Sequence, residues 1–243
     1  MFQLPQSAAQ VRSGHSQVVD FIGRAIVSGE FAEESILPHD VDLSKRFSVS
    51  RTVVREAMKT LAAKGLVAAR TRVGTWVTDR ENWNLFDNQV LSWHVQDKID
   101  EALIQSLTEI RLALEPYGAM LAAERASEAE IEELRQLAEA MGNPDHTPES
   151  MALADLEFHL AITAASRNPF MRRVNDVIEA ALFSVFKLSS PTHDAGLVKE
   201  IARSHMDIVE AIAARDKDRA RAAMENVIDV GIARVRSAAP AGS

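Results

Sequence analysis

The stretch SVSRTVVREAMKTLAAKGLVAARTRVGTWV, residues 48–77, decides the fold of the N-terminal part of the chain. Ser50 can cap a helix whose apolar residues recur every three or four positions until Gly65 ends it. The residues after Gly65 alternate between apolar and polar, break at Gly74 and alternate again, as in a two-stranded hairpin. The stretch therefore predicts a helix followed by a β-hairpin.

Two further helices are predicted before this stretch. Apolar residues at positions 18, 19, 22, 25 and 26 have the spacing of an amphipathic helix that ends near Gly29. Pro38 bars helix before it, and Asp40 can cap a short helix over about residues 40–47. Three helices and a β-hairpin in this order form a winged helix-turn-helix.

The basic side chains of this region predict contacts with DNA. In a helix-turn-helix the N-terminal part of the second helix of the pair enters the major groove, and Arg51 and Arg55 lie one turn apart there. Arginine can bind guanine through two hydrogen bonds, or a phosphate. A solvated basic face is the alternative. The predicted DNA-binding residues are Arg46, Ser50, Arg51, Thr52, Arg55, Arg70, Arg72 and Gly74.

The charge is distributed unevenly along the 243 residues, whose formal net charge is −8. Residues 1–80 hold 11 Lys and Arg against 8 Asp and Glu, a balance of +3, whereas residues 81–243 hold 16 against 27, a balance of −11. This asymmetry indicates a basic binding module joined to an acidic body, with chance variation as the alternative.

Composition limits the other possible functions. The chain has no cysteine, so any metal site must use His, Asp or Glu, and a reducing compartment is expected. No apolar run reaches about 18 residues, and residues 1–15 have no apolar signal core, so we expect a cytoplasmic protein without a membrane partner.

Residues 16–78 resemble the DNA-binding domain of the GntR family of bacterial transcription regulators. The resemblance is carried by LPHDVDLSKRFSVSRTVVREAMKTLAAKGLVAARTRVGTWV, residues 37–77. It implies that Arg51 and Arg55 read DNA. Two positions depart from the family pattern: Val41 stands where relatives often have arginine, and Arg72 replaces the usual first glycine of the wing.

Residues 79–99 are predicted to form a packed linker, because the segment DRENWNLFDNQVLSWH is too apolar for a free one. It can carry a signal between the two halves or act only as a structural clamp. Its pattern WNxxDxxVLxW resembles the joint of GntR relatives that respond to sugar acids such as galactonate and gluconate.

Residues 100–238 predict about six helices with short loops, an antiparallel all-α bundle. The whole chain is therefore expected to be mainly α. Its predicted parts are a flexible arm over 1–14, the winged helix-turn-helix over 15–78, the linker over 79–99, an effector-binding and dimerisation bundle over 100–238, and a disordered tail over 239–243.

The bundle resembles the FCD-type effector-binding domain of the FadR branch of GntR regulators. Asp155 and His159, one turn apart on an apolar helix, and His205 fall on the metal-ligand positions of that branch. The resemblance implies a divalent transition metal, with zinc first and nickel or manganese as alternatives. Val227 occupies the position of a fourth histidine, so three protein ligands are expected. From the residues alone, a surface pair of Asp155 and His159 is the alternative.

Arg111 is the candidate effector-binding residue, since the family holds a ligand carboxylate with the matching arginine. A salt bridge to Glu115, four residues on, is the alternative.

The combined prediction is a DNA-binding repressor, without catalytic residues, that binds a palindromic operator as a homodimer and responds to a small sugar-acid-like carboxylate. Lactate or an acyl ligand are alternative effectors. A metal-dependent hydrolase fused to a DNA-binding module, or a purely architectural DNA-binding protein, are the alternatives from other classes.

Overall fold

The computed structural model describes residues 13–96, 101–174, 183, 186 and 189–238. The chain divides into two compact units, residues 1–98 and residues 99–243. Helices dominate both, and the only strands among the described residues form one two-stranded sheet. The predicted mainly α fold with an N-terminal winged helix-turn-helix is confirmed. The predicted arm over 1–14 and tail over 239–243 lie almost wholly outside the described residues.

The N-terminal unit contains the three predicted helices and the hairpin. In chain order these are α1 (Gly14–Val27), α2 (Asp40–Arg46), α3 (Arg51–Ala63), β1 (Val67–Arg70) and β2 (Gly74–Val77). Their apolar faces meet in one core, in which Ile22, Leu61 and Leu66 are fully buried. The packing of α1 and α2 against α3 leaves the first turn of α3 exposed to solvent.

One predicted helix cap is confirmed and one is wrong. The Ser50 side chain accepts a hydrogen bond from the Val53 N–H at 3.3 Å, which caps α3. For α2 the cap position is His39, whose side chain makes no capping hydrogen bond, and Asp40 is the first helical residue. The Asp40 carboxylate accepts instead from Arg55, so a long-range charge partner replaces the local cap.

The wing is an antiparallel hairpin in which Val67 pairs with Val77 and Arg70 with Gly74. Residues 71–73 form the turn, in which Arg72 has φ of 65° and Gly74, the first residue of β2, has φ of 122°. A left-handed conformation at Arg72 costs about 1 kcal/mol more than it would for glycine. The arginine therefore occupies a position whose backbone favours the glycine that relatives carry.

The predicted linker packs on the N-terminal unit. A single turn of 3₁₀ helix (Arg80–Asn82) leads to α4 (Asn88–Gln96), and both Trp83 and Trp93 are buried in the N-terminal core. The Trp93 indole N–H donates to Asp20 at 2.9 Å, and Lys64 forms an ion pair with Asp87 at 2.6 Å. The prediction that this segment packs is confirmed for its described part, while residues 97–99 lie outside it.

The C-terminal unit is a bundle of long helices. Those described over their full length are α5 (Glu101–Arg125), α6 (Glu128–Ala140), α7 (Pro148–Ala165), α8 (Ala195–Ala213) and α9 (Lys217–Ala238). Residues 169–174 are also helical. The central packing brings α5 against α7, α8 and α9, and α6 against α7 and α8. None of the described helices is long and apolar enough to cross a bilayer.

Local capping signals fix the starts of α6 and α7. Ser127 and Thr147 each form a capping box, with Glu130 and Ser150 as the respective partners. Pro148 follows Thr147 in the first turn, where its missing N–H costs no helical hydrogen bond. The α6 helix ends at Ala140. Pro116 lies inside α5, which continues to Arg125.

Candidate nucleic-acid interface and metal centre

The first turn of α3 presents polar side chains to solvent. Ser50 caps the helix, while Arg51 and Thr52 are exposed on the turn that follows. Val54, Ala57 and Leu61 anchor the opposite face in the core. This arrangement leaves the guanidinium of Arg51 available to a base edge or a phosphate.

Two other predicted DNA-binding arginines already have partners within the unit. Arg55 is 70% exposed and forms an ion pair with Asp40, Nε to Oδ2, at 3.0 Å. Arg46 lies over the Phe21 ring, with its guanidinium carbon 4.3 Å from the ring centroid. An exposed ion pair of this kind contributes little free energy, so Arg55 can exchange Asp40 for DNA at small cost. Arg46 would have to leave an aromatic face.

The wing carries two arginines near its turn. The Arg70 guanidinium lies 3.5 Å from the centroid of the Trp76 ring, which holds it along the hairpin. Arg72 is exposed within the turn itself. Gly74 has nothing closer than 3.7 Å to a Cβ built on it, so its positive φ rather than crowding favours glycine there.

The predicted metal ligands meet inside the C-terminal unit. Asp155 and His159 lie one turn apart on α7, and His205 projects from α8. His205 Nε2 is 3.3 Å from Asp155 Oδ1, and His159 Nε2 is 3.9 Å from Asp155 Oδ2. One potential ligand atom from each residue lies within 4.8 Å of the others. The alternative of a solvated surface pair is wrong, since His159 is buried and Asp155 nearly so.

Hydrogen bonds orient both imidazoles toward Asp155. His205 Nδ1 donates to the Ile201 carbonyl at 2.8 Å, and His159 Nδ1 donates to Glu115 Oε2 at 2.7 Å. A neutral ring with its proton on Nδ1 keeps a lone pair on Nε2. Phe158 packs edge-to-face against the His205 ring at a centroid distance of 4.9 Å. Both Nε2 atoms are thereby held toward the same carboxylate.

Arg111 and Glu115 form the buried salt bridge that the sequence left as an alternative. Arg111 Nε lies 2.5 Å from Glu115 Oε1, and Arg111 Nη2 lies 3.2 Å from Glu115 Oε2. Arg111 Nη2 is also 3.4 Å from His159 Nε2. Arg111 thus borders the candidate metal centre, but its charge is compensated by a carboxylate one turn away.

The buried charges shift one another's pKa. Burial alone would raise the pKa of Glu115, but Arg111 and His159 outweigh it and hold the pKa well below its usual range. Burial would likewise raise the pKa of Asp155, yet His205, His159 and Arg111 keep that pKa low. Burial alone would lower the pKa of His159, but the charges of Glu115 and Asp155 outweigh burial, and the pKa is raised. The site is an ionised network rather than a neutral one.

This donor set fits a divalent transition metal. His205 Nε2 is fully buried and faces Asp155 Oδ1 at 3.3 Å without forming a hydrogen bond of regular geometry, an arrangement that a cation bound between the two atoms would satisfy. Two imidazole nitrogens and a carboxylate oxygen suit zinc, nickel or manganese. Glu115 and the Ile201 carbonyl act as the outer hydrogen-bond partners that orient metal-binding histidines. Val227 lies on the wall of the same cavity and offers no donor.

The cavity beside the triad has an empty volume of about 460 Å³, including its part open to solvent. Arg111, Asp155 and His159 line it together with three polar residues that the sequence did not single out: Ser189, Ser190 and Arg234. Arg234 lies on α9, 79 positions after Asp155, and no local spacing connects the two. The position of Glu115, four residues after Arg111, does indicate a salt bridge between the two. The contact between Glu115 and His159 could not be predicted in this way, because it forms only when α5 packs against α7.

Comparison with known proteins identifies a known domain in each of the two units. Residues 15–77 match the family described as bacterial regulatory proteins, gntR family, and residues 106–230 match the FCD domain. The galactonate operon transcriptional repressor of Escherichia coli (strain K12) is 28% identical over 212 residues, which cover 87% of this chain and 92% of the relative. The uncharacterized HTH-type transcriptional regulator YieP of the same organism is 31% identical over 222 residues, which cover 89% of this chain and 94% of that relative.

A solved structure supports the fold alone. That of Lar, which controls expression of the Listeria monocytogenes agr system, covers 93% of this chain and 98% of its own at 18% identity, with a TM-score of 0.64.

The chain belongs to the GntR family of bacterial regulators, in the group that carries a C-terminal FCD domain. Its function is DNA-binding transcriptional regulation, and the hydrolase alternative is set aside because the matched family and the relatives are regulators and not enzymes. The winged domain binds DNA, and the FCD domain is of a type that receives a small molecule and is associated with metal binding.

Proposed function

We propose that this regulator is a repressor whose operator binding is controlled by a small hydroxy-carboxylate bound in the FCD cavity beside a metal. The observation that carries the proposal is the convergence of Asp155, His159 and His205, whose potential ligand atoms lie within 4.8 Å of one another beside a cavity that Asp155 and His159 line. Asp155, His159 and His205 would hold the metal, with zinc the first choice.

The chemistry of the cavity favours a sugar-acid-like effector. When bound, a divalent metal with only three protein ligands can accept a carboxylate and a neighbouring hydroxyl of the effector. Arg111, which lines the same cavity, would hold the metal-side carboxylate. The galactonate repressor among the relatives is named for an operon of this class of acid.

On the DNA side, we propose contacts from α3 and the wing to a palindromic operator. Arg51, Thr52 and Arg55 would enter the major groove, with Ser50 and Arg46 beside them, and the wing would contribute Arg70, Arg72 and Gly74. A homodimer, joined mainly through the helical half, would place two such units on two half-sites and gain avidity.

The test is the double variant His159→Ala/His205→Ala. Its metal content should fall to near zero by elemental analysis. It should still shift operator DNA, because α3 and the wing are untouched, and sugar acids should no longer release it. His193→Ala is the matched control, since His193 is an exposed histidine of the same unit that does not line the cavity.

Two results would contradict the proposal. A double variant that keeps its metal would make the two histidines ordinary buried residues. A double variant that loses its metal and still responds to the acid would mean that the effector binds elsewhere. Lactate and a fatty acyl compound belong in the same release assay, because release by one of these alone would replace the sugar-acid class.

A further inference from the structure

The cavity contains a second arginine, whose charge no group among the described residues pairs directly. Arg234 is partly buried on α9 and lines the cavity together with Asp155 and His159. Its guanidinium makes neither an ion pair nor a hydrogen bond within the part of the chain that the structure describes. Asp155 and Glu200 act on it only through their charges, and Glu200 is exposed, so water screens that attraction.

The two arginines of the cavity therefore differ in what they can offer a ligand. Arg111 is buried and shares two hydrogen bonds with Glu115, so the pair has no net charge. Arg234 keeps its full charge and its donors. Gly231, one turn earlier on the same helix and also on the cavity wall, leaves space beside it: a Cβ there would lie 3.8 Å from Arg234 Nη2.

The charge balance of the cavity indicates which kind of ligand group Arg234 would bind. A divalent ion on Asp155 and two neutral imidazoles leaves one excess positive charge, and Asp155 then no longer offsets Arg234. The cavity would thus hold two uncompensated positive charges, one at the triad and one at α9. A ligand with one acidic group balances only the first, and an unpaired guanidinium out of water is costly.

We infer that Arg234 determines effector specificity by binding a second acidic group, so that the effector is a hydroxy-diacid whose other carboxylate lies at the metal. The inference rests on the proposed function, because it assumes that an acid binds beside the triad. Ser190, whose Oγ is buried without a hydrogen-bond partner among the described residues, lines the same cavity and can bind an effector hydroxyl.

Matched sugar acids test this inference directly. Galactonate and galactarate have the same six-carbon chain and hydroxyl configuration, and differ in the second carboxylate of galactarate. Gluconate and glucarate form a second such pair. Binding of all four to the zinc-loaded full-length chain is measured by isothermal titration calorimetry, for wild type, Arg234→Gln, Arg234→Lys and Arg236→Gln. Arg236→Gln is the matched control, since it removes the same charge from an exposed residue two positions away on α9.

In wild type and in Arg236→Gln, at least one diacid should bind about 10- to 100-fold more tightly than its monoacid, the gain of a charge-assisted hydrogen bond. Arg234→Gln should reduce this ratio to about 1 while it leaves monoacid affinity, zinc content and melting temperature unchanged. Arg234→Lys should give an intermediate ratio, because a charge remains without the planar fork.

The failures are distinguishable. Equal affinity for monoacids and diacids in wild type, or a diacid preference that survives in both Arg234 variants, would overturn the inference and leave acid binding at the metal standing. No binding of any of the four acids to zinc-loaded wild type would overturn the sugar-acid proposal and this inference together.

Discussion

At the scale of single residues, the two arginines of α3 that are predicted to read DNA differ in their contacts in the free protein. Arg51 is exposed, whereas Arg55 is held by Asp40 at 3.0 Å on the neighbouring helix. DNA must replace that ion pair, which is exposed and weak. Asp40 therefore positions Arg55 in the free protein without blocking it.

Arg51→Ala and Arg55→Ala should each lower operator affinity. A lost base contact costs about 1–3 kcal/mol of binding free energy and relaxes the sequence preference at one position. A lost phosphate contact weakens the binding of all DNA sequences alike and lowers the slope of log affinity against log salt concentration by about one unit. Fluorescence anisotropy with operator and random duplexes at several salt concentrations separates the two cases. Lys59→Ala, one turn beyond Arg55 on α3, is the control, and unchanged affinity in both arginine variants would refute the assignment of α3 as the recognition helix.

Glu115 is expected to matter to both stability and metal binding. Glu115→Gln leaves the buried Arg111 without its counter-charge, and breaking a buried pair in this way costs about 3–5 kcal/mol. It also weakens the bond that orients His159, so zinc affinity should fall by about 10- to 100-fold. Calorimetric melting and competition with a zinc indicator measure the two effects.

The control for this variant is Glu109→Gln, an exposed residue of the same helix. Glu109→Gln should change neither the melting temperature nor the zinc affinity. Zinc affinity unchanged in Glu115→Gln would show that His159 does not need its outer partner, or that it is not a ligand.

At the scale of elements, α4 is held against α1 by one close approach. A Cβ at position 23 would lie 2.2 Å from the Trp93 ring, so the indole would have to move to make room for it. Gly23→Ala should therefore destabilise the N-terminal unit by about 1–3 kcal/mol through overpacking, although alanine normally favours a helix interior. Thermal melting followed by tryptophan fluorescence reports the change. Gly118→Ala in α5, whose nearest neighbour would lie at 3.4 Å, should be neutral or stabilising; equal effects of the two variants would contradict the packing argument.

The capping box of α6 predicts a pH dependence. Hydrogen bonds from Ser127 lower the pKa of Glu130 despite the opposing effect of burial, with help from Arg167. A lowered folded-state pKa means that the stabilisation is present above the ordinary value of 4.5 and is lost as the pH falls below it. Glu130→Gln should cost up to about 1 kcal/mol near neutral pH, and the difference from wild type should shrink on acidification. A difference independent of pH between about 3 and 7 would contradict the argument.

How much the sequence could predict depends on how local each signal is. Ser50 caps its helix as predicted because a cap involves residues three positions apart. Asp40 does not, because a guanidinium 15 positions away competes for its carboxylate. The triad of Asp155, His159 and His205 was recognised through family resemblance, since spacing alone indicates only the pair on α7. Arg234 was missed because its relation to the triad exists only after α7 and α9 pack into one bundle.

At the scale of the whole molecule, two-fold operators imply two winged units, and one unit offers little surface to DNA. We predict a homodimer in solution, because two half-sites on one rigid assembly bind with avidity that one does not provide. Multi-angle light scattering at micromolar concentration should give about twice the mass of 26.7 kDa, with and without operator. A monomer under both conditions would refute the prediction.

The burial of α4 with the winged helix-turn-helix bears on how this regulator can be recombined with others. Trp83 and Trp93 belong to the N-terminal core, so a fusion protein cut at the end of the wing would discard two large side chains that this core requires. The portable DNA-reading module extends through Gln96. A biosensor that joins it to a foreign sensory domain should take its junction after that residue.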